Sequence, residues 1–233
     1  MERLDASTED SLIAHLLQFV TPDKQARMAE VIEHRTSHLR LVLEDIYQPH
    51  NASAVIRSCE CFGIQHLHII ENRNKFRINP DVAMGGAKWI HLHRHRMKGA
   101  DNTRACLREL REMGYRIAAT SLAAGSIPLQ SIPLEQPLAL CFGTEEVGLS
   151  ETVLEEADLQ VHIPMLGFTQ SFNISVSAAI CLYELRNRME REGLPAGLGD
   201  EEKREVYRSW LRATLKNCEI LERACLKGLQ TGF

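Results

Sequence analysis

No stretch of this 233-residue chain approaches the roughly 18 consecutive apolar residues that a membrane-spanning helix requires, so no membrane partner is expected. Its first residues, MERLDASTED, are acidic and lack both the basic segment and the apolar segment of a signal peptide, which makes the cytoplasm the expected location. No internal repeat or low-complexity tract is visible, which excludes solenoid and low-complexity architectures. A large excess of one charge sign is lacking as well: the net charge of −4 does not advertise a nucleic-acid binder. Cysteine is present, but seven is an odd number. Cys106, Cys141 and Cys181 stand in apolar surroundings, and Cys59 and Cys61 are too close to bridge each other, so reduced thiols are expected rather than a disulfide frame.

With 44% apolar residues the chain is long enough for one good-sized core with helical appendages. The overall charge hides a local asymmetry. Between Asn72 and Lys98 stand Arg73, Lys75, Arg77, Lys88, Arg94, Arg96 and Lys98 against the single acid Asp81, either a solvated basic face or the footprint of a polyanion site. Residues 1–38 have helical spacing (Leu12, Leu16, Phe19; Met28, Ile32) with a break at Thr21-Pro22, predicting two short helices. From Arg40 the period changes. LRLVLEDIY, LHII, WIHLH, YRIAATSL, LALCFG and LQVHIP are short β-prone runs, mostly separated by helical segments such as 101–113 and 150–157, which predicts an α/β fold with a mostly parallel, helix-covered sheet. An amphipathic helix is predicted over 172–191, and after GLPAGLG a charged helical tail over 200–228. The resulting organisation is an N-terminal helical segment 1–38, a central domain 39–192 and a C-terminal helical tail 193–233.

Three segments put polar or glycine residues where a strand has just ended, the place where open parallel sheets bind ligands. In DIYQPHNASAVIRS, Asn51 reads as a helix N-cap, small residues follow it, and Arg57 stands among Val55 and Ile56; a pocket-wall arginine and a solvent-facing one are both open. In LALCFGTEEVGLS, Gly143 permits close backbone approach, Glu145 follows, and Ser150 caps a helix; a strand–turn–helix junction without ligand would look the same. In VHIPMLGFTQSFNISVSAA, Pro164 ends a strand, Gly167 allows a turn, and Ser171 and Asn173 open a helix, as binding loop or as simple capping. His91, His93 and His95 alternate on WIHLHRH and would share one strand face, but histidines at i, i+2 splay along an edge, and no metal site is expected. Arg94 and Arg96, on the other face, suit RNA better.

Taken together, NASAVIRS, LCFGTEEVGL and IPMLGFTQSFNISVSAA resemble, in order and spacing, the three motifs of the SpoU/TrmH branch of the SPOUT RNA methyltransferases. The resemblance covers at least residues 40–190. It implies a fold in which the chain over about 138–185 is threaded into a deep trefoil knot, a homodimer, and transfer of a methyl group from S-adenosyl-L-methionine to a ribose 2′-hydroxyl of RNA. No G-x-G-x-x-G follows the first strand, which counts against the ordinary Rossmann-like methyltransferase.

By the same resemblance, Thr120, Gly143, Ile163, Met165 and Phe172 match cofactor-binding positions. Arg57, Asn51, Glu145, Ser171 and Asn173 match the catalytic group, with Arg57 orienting the ribose and its phosphate rather than acting as a base, since guanidinium deprotonates only above pH ~12. Asn51 and Glu145 serve equally well to hold the loops and a dimer-related arginine in place. Phe172 departs from the leucine of many relatives. Lys88, Arg94, Arg96 and His50 are candidates for RNA contact. EDIYQPHNASAVIRSCECFGI and GGAKWIHLHRH look most like the TrmH group, which implies a tRNA substrate methylated at the D-loop guanosine 18, with the terminal helices supplying RNA-backbone contacts and dimer support. Two alternatives stand beside this: the same chemistry on ribosomal RNA or another tRNA ribose, and a catalytically silent RNA-binding or assembly protein.

Overall fold

The computed structural model of the chain describes residues 4–231. It divides into two compact units, one made of the central residues 36–196 and the other of both chain ends.

In the terminal unit, α1 (Ala6–Leu17) starts at Asp5, whose carboxylate accepts from the Thr8 backbone N–H at 3.0 Å, and α2 (Pro22–Glu33) starts on the proline that breaks the two helices apart. Leu12, Leu16, Met28 and Ile32 are buried. Phe19, predicted to join that stripe, lies beyond the end of α1 and is half exposed, packing edge-on against His15.

In the central unit, helices and strands alternate: β1 (Leu39–Glu44), α3 (Pro49–Cys61), β2 (His66–Ile70), the single turn α4 (Pro80–Ala83), β3 (His91–His95), α5 (Asn102–Glu112), β4 (Arg116–Thr120), β5 (Ile127–Pro128), β6 (Leu138–Phe142), α6 (Glu151–Glu156), β7 (Leu159–His162) and α7 (Ile174–Arg191). All six predicted β runs are strands, and the two-residue β5 is the one the pattern did not announce. The strands form one sheet, ordered β3-β2-β1-β6-β4-β7-β5, with every pairing parallel. Each residue of β1 and β6 is buried, as strands covered on both faces must be.

Alternation splits the core in two. Leu41, Leu43, Leu67, Ile69, Leu138, Leu140 and Phe142 face α3 and α7, where Val55, Ile56, Ala178, Leu182 and Leu185 meet them. Val42, Ile117, Ala119, Ala139 and Cys141 face α5 and α6, against Cys106, Leu107, Leu110 and Val153. Burial of each such aliphatic side chain contributes about 1.5–3 kcal/mol before chain entropy is charged against it. All seven cysteines are free thiols, and Cys106, Cys141 and Cys181 are buried; burial pushes the Cys181 thiol up to about 12 and the other two further in the same direction.

The chain ends return to the terminal unit. The predicted tail is two helices, α8 (Asp200–Thr214) and α9 (Cys218–Thr231), broken where Asn217 takes a left-handed backbone (φ 56°). Val206, Trp210 and Leu211 pack into that unit, where the Arg35 guanidinium covers the Trp210 ring at 5.3 Å. No described helix is long and apolar enough to cross a membrane.

Candidate functional site

The carboxyl ends of β4, β6 and β7 open onto one cavity of about 480 Å³, within the ~300–1,000 Å³ usual for small-molecule sites. Leu129, Phe142, Leu149, Leu154 and Val161 give it apolar walls. Thr120 stands at the end of β4, with its hydroxyl donating to the Cys141 carbonyl at 2.8 Å. Gly143 follows β6, Ile163 follows β7, and Met165 and Phe172 lie on the loop that leads to α7. All five positions matched to cofactor binding therefore line the same cavity, together with Glu145 and Ser171.

The loop after β6 is a closed turn. The Thr144 N–H donates to the Gly148 carbonyl at 3.0 Å and the Gly148 N–H returns to the Thr144 carbonyl at 2.9 Å. Gly148 has a left-handed backbone (φ 76°), which favours glycine. Gly143 is required for space: a Cβ there would stand 2.1 Å from both C and O of Gly148. Glu44, at the end of β1 and only 3% exposed, anchors the far side of the turn. Its carboxylate accepts from the Ser150 N–H and hydroxyl, each at 2.8 Å, and from the Thr103 hydroxyl at 2.6 Å. The sequence reading passed over Glu44 because a carboxylate ending an apolar strand looks like the first polar residue of a loop.

Asn51, Glu145 and Asn173 join the three motif segments. The Asn173 side-chain amide donates to Glu145 Oε1 at 2.9 Å and to Asn51 Oδ1 at 3.1 Å, while Asn51 donates to Glu145 Oε1 and to Gln48 Oε1. Asn173 also caps α7, its Oδ1 accepting from the Ser175 N–H at 2.9 Å. Asn51 is not the N-cap the sequence suggested. Pro49 already occupies the first turn of α3, which begins after Gln48, so the Asn51 side chain is turned sideways to Glu145. The chain bends at Gly167, as the turn reading expected, without a left-handed backbone.

Arg57 departs most from expectation. It is exposed, not held in a pocket wall, and it is not among the residues lining the cavity. Six residues after Asn51, at 100° per residue, it points about 120° away from it around α3. No hydrogen bond or ion pair joins it to another described residue. His50, Lys88 and Arg96 are exposed too. Arg94 is engaged: it holds Glu71 through two hydrogen bonds (2.9 and 2.8 Å) and the Phe76 carbonyl at 3.1 Å. Burial raises the Glu71 pKa, but Arg94 outweighs it and the carboxyl titrates below its ordinary range.

A model of the SpoU rRNA Methylase family matches residues 38–183. The tRNA (guanosine(18)-2'-O)-methyltransferase of Borreliella burgdorferi is 42% identical over 210 residues, covering 90% of this chain and 94% of that protein. The protein of the same description from Thermus thermophilus is 32% identical over 198 residues, covering 82% and 97%. Among solved structures, the A. aeolicus TrmH/SpoU tRNA modifying enzyme superimposes with a TM-score of 0.74 at 29% identity, covering 84% of this chain and 98% of that one.

Proposed function

The chain belongs to the SpoU rRNA methylase family, and on that premise we propose that it is an S-adenosyl-L-methionine-dependent tRNA 2′-O-ribose methyltransferase acting on guanosine 18. The observation that carries the proposal is one cavity whose wall holds every candidate cofactor position, lined by the second and third motif segments, with the first fastened to them through Asn51, which bonds Glu145 and Asn173. A cavity of this size with apolar walls suits a nucleoside-bearing cofactor, whose sulfonium supplies the methyl group. The loop residues Gly143, Ile163 and Met165 would bind it through backbone groups, and Thr120 and Phe172 would bound it.

Methyl transfer is an in-line displacement in which the sulfonium would leave as a neutral thioether and the 2′-hydroxyl proton passes to solvent, so the remaining demands are orientation of the hydroxyl and stabilisation of its developing charge. Arg57 orients ribose and phosphate through its planar fork and stabilises the developing alkoxide. Ser171, on the cavity rim, is the candidate contact to the acceptor; Asn51, Glu145 and Asn173 position the loops. Because Arg57 is outside the cavity of its own chain, the reading has it act on the cavity of a second copy, in a homodimer built on the exposed apolar side chains of Leu166, Phe168, Val176 and Tyr183. The proposal includes the trefoil knot over about 138–185, a cytoplasmic location with the tRNA, and RNA-backbone contacts from Lys88, Arg96 and His50.

The test is incubation with labelled cofactor and bulk tRNA, followed by mapping of the nuclease-resistant linkage. A single ribose methyl at guanosine 18 is expected. A methyl at another tRNA ribose or only in ribosomal RNA overturns the acceptor assignment, and RNA binding without transfer overturns the enzymatic one.

A further inference from the structure

Outside the cavity the sheet carries a second concentration of chemistry. The parallel register of β2 and β3 sets His66 beside His91 and His68 beside His93, and β3 adds His95, so five imidazoles share one face at the edge of the sheet. The sequence reading weighed only the three on β3, because nothing local reveals that β2 lies next to them. Helix α5 covers that face and brings Cys106 and, three residues on, Glu109. His68 Nδ1 is 3.1 Å from His95 Nε2 and 3.9 Å from Cys106 Sγ, and the three donor atoms lie within 4.8 Å of one another. None of these residues lines the cofactor cavity.

From this geometry we infer a metal site formed by His68, His95 and Cys106, selective for a thiophilic monovalent ion, copper(I). Bond lengths of about 2.0 Å to nitrogen and 2.3 Å to sulfur, as zinc and comparable ions make, need N···N near 3.3 Å and N···S near 3.6 Å at a tetrahedral angle. The two separations from His68 differ from those values by less than half an ångström, and the third, between His95 Nε2 and Cys106 Sγ, lies within 4.8 Å, so closing the site takes a side-chain shift of up to about an ångström. Imidazole and thiolate together select soft or borderline ions. Glu109 Oε2 stands 3.9 Å from His95 Nδ1, beyond hydrogen-bond distance, where its charge favours the tautomer with the proton on that nitrogen and Nε2 free for the metal.

Charge decides between ions. His68 and Cys106 are fully buried, and Arg40, 8% exposed, faces His68 Nε2 at 3.3 Å. A thiolate with copper(I) is neutral, whereas a thiolate with a divalent ion leaves a net positive charge beside a buried guanidinium, which is costly in a poorly hydrated environment. Without metal the groups satisfy each other. Arginine can only donate, so His68 Nε2 accepts, its Nδ1–H donates to His95 Nε2, and the His95 Nδ1–H is directed to Glu109. Metal uptake replaces this chain: the Cys106 thiol proton goes to solvent, the His68 proton moves from Nδ1 to Nε2, and Arg40 gives up His68 while keeping Tyr115, over whose ring it already lies at 4.7 Å.

The experiment is anaerobic titration of the full chain, carrying Cys61→Ser and Cys225→Ser to remove the more accessible thiols, with copper(I) against a chromophoric copper(I) chelator. A parallel titration uses zinc(II) alone. One copper(I) per chain is expected, with a thiolate-to-copper absorption band and a raised melting temperature. Affinity should fall roughly 10–100-fold in Glu109→Gln and further in Cys106→Ser and His95→Gln. Melting curves of the metal-free variants show whether each has folded, and Glu109→Gln keeps the test open should the two ligand variants fail to fold. Stoichiometric zinc binding in place of copper overturns the choice of ion. Copper binding that Cys106→Ser and Glu109→Gln leave unchanged overturns the site.

Discussion

A methyl group added at Gly143 tests whether the turn after β6 is a cofactor cradle. In Gly143→Ala the new Cβ would overlap the Gly148 carbonyl at 2.1 Å and the Leu149 nitrogen at 2.2 Å, and backbone atoms cannot rotate away as a side chain would. Restoring ordinary contact requires the turn to move by more than an ångström. That movement breaks the two hydrogen bonds closing Thr144 onto Gly148, each worth about 0.5–1.5 kcal/mol, so a loss of about 1–3 kcal/mol in stability is expected. The backbone groups offered to the cofactor move with the turn. Losing one or two hydrogen bonds of similar worth predicts a dissociation constant raised about 10–100-fold. Calorimetric titration with S-adenosyl-L-methionine measures this, and a thermal melt measures the stability. Gly86→Ala is the control, because a Cβ there meets only ordinary contacts of 3.5–3.7 Å, and its cofactor affinity should stay within twofold. An unchanged affinity in a folded Gly143→Ala variant would refute the assignment of this turn.

If Arg57 serves the cavity of a second copy, mixing Arg57→Ala with Gly143→Ala chains before assembly should restore roughly a quarter of wild-type activity, since half the dimers are mixed and each has one complete site; mixtures no better than the separate variants would place Arg57 at its own chain's cavity. Neutralising Lys88 and Arg96 together should lower the slope of log affinity for tRNA against log salt by about 2, as read from filter binding at several salt concentrations. Arg94→Ala should instead cost stability, roughly 1–3 kcal/mol, because it strands the nearly buried Glu71. Glu71 titrates low in the folded state, so its contribution is present above the unfolded carboxylate pKa of about 4.3 and fades as pH falls through the folded value; melts between pH 3 and 6 should show that loss in wild type and little of it in Arg94→Ala. Glu44→Ala should raise the cofactor dissociation constant without touching the cavity wall, because Ser150 and the turn before it lose their anchor.

The β-prone runs were legible because the central strands are buried on both faces, so LRLVLE and LALCF read as unbroken apolar segments. The two-residue β5 has no period to detect. The solvent-facing alternative for Arg57 could not be chosen from its buried neighbours Val55 and Ile56, because on a helix immediate neighbours face different directions. Asn51 lost its predicted capping role to Pro49, whose fixed φ already suits a first helical turn. Glu44 and Cys106 acquire their meaning only from partners brought next to them by the sheet and by α5, and one-dimensional patterning carries no trace of that proximity.

The pairing of Leu39 with Leu138 has a bearing on synthesis as well as on catalysis. Strand β1 must wait for about a hundred further residues to emerge before β6 can settle between it and β4, so a nascent chain displays an unpaired apolar border for much of translation. Folding of this edge is slow relative to local hairpin pairing, and a truncation ending before Leu138 would leave the border exposed for good, prone to self-association.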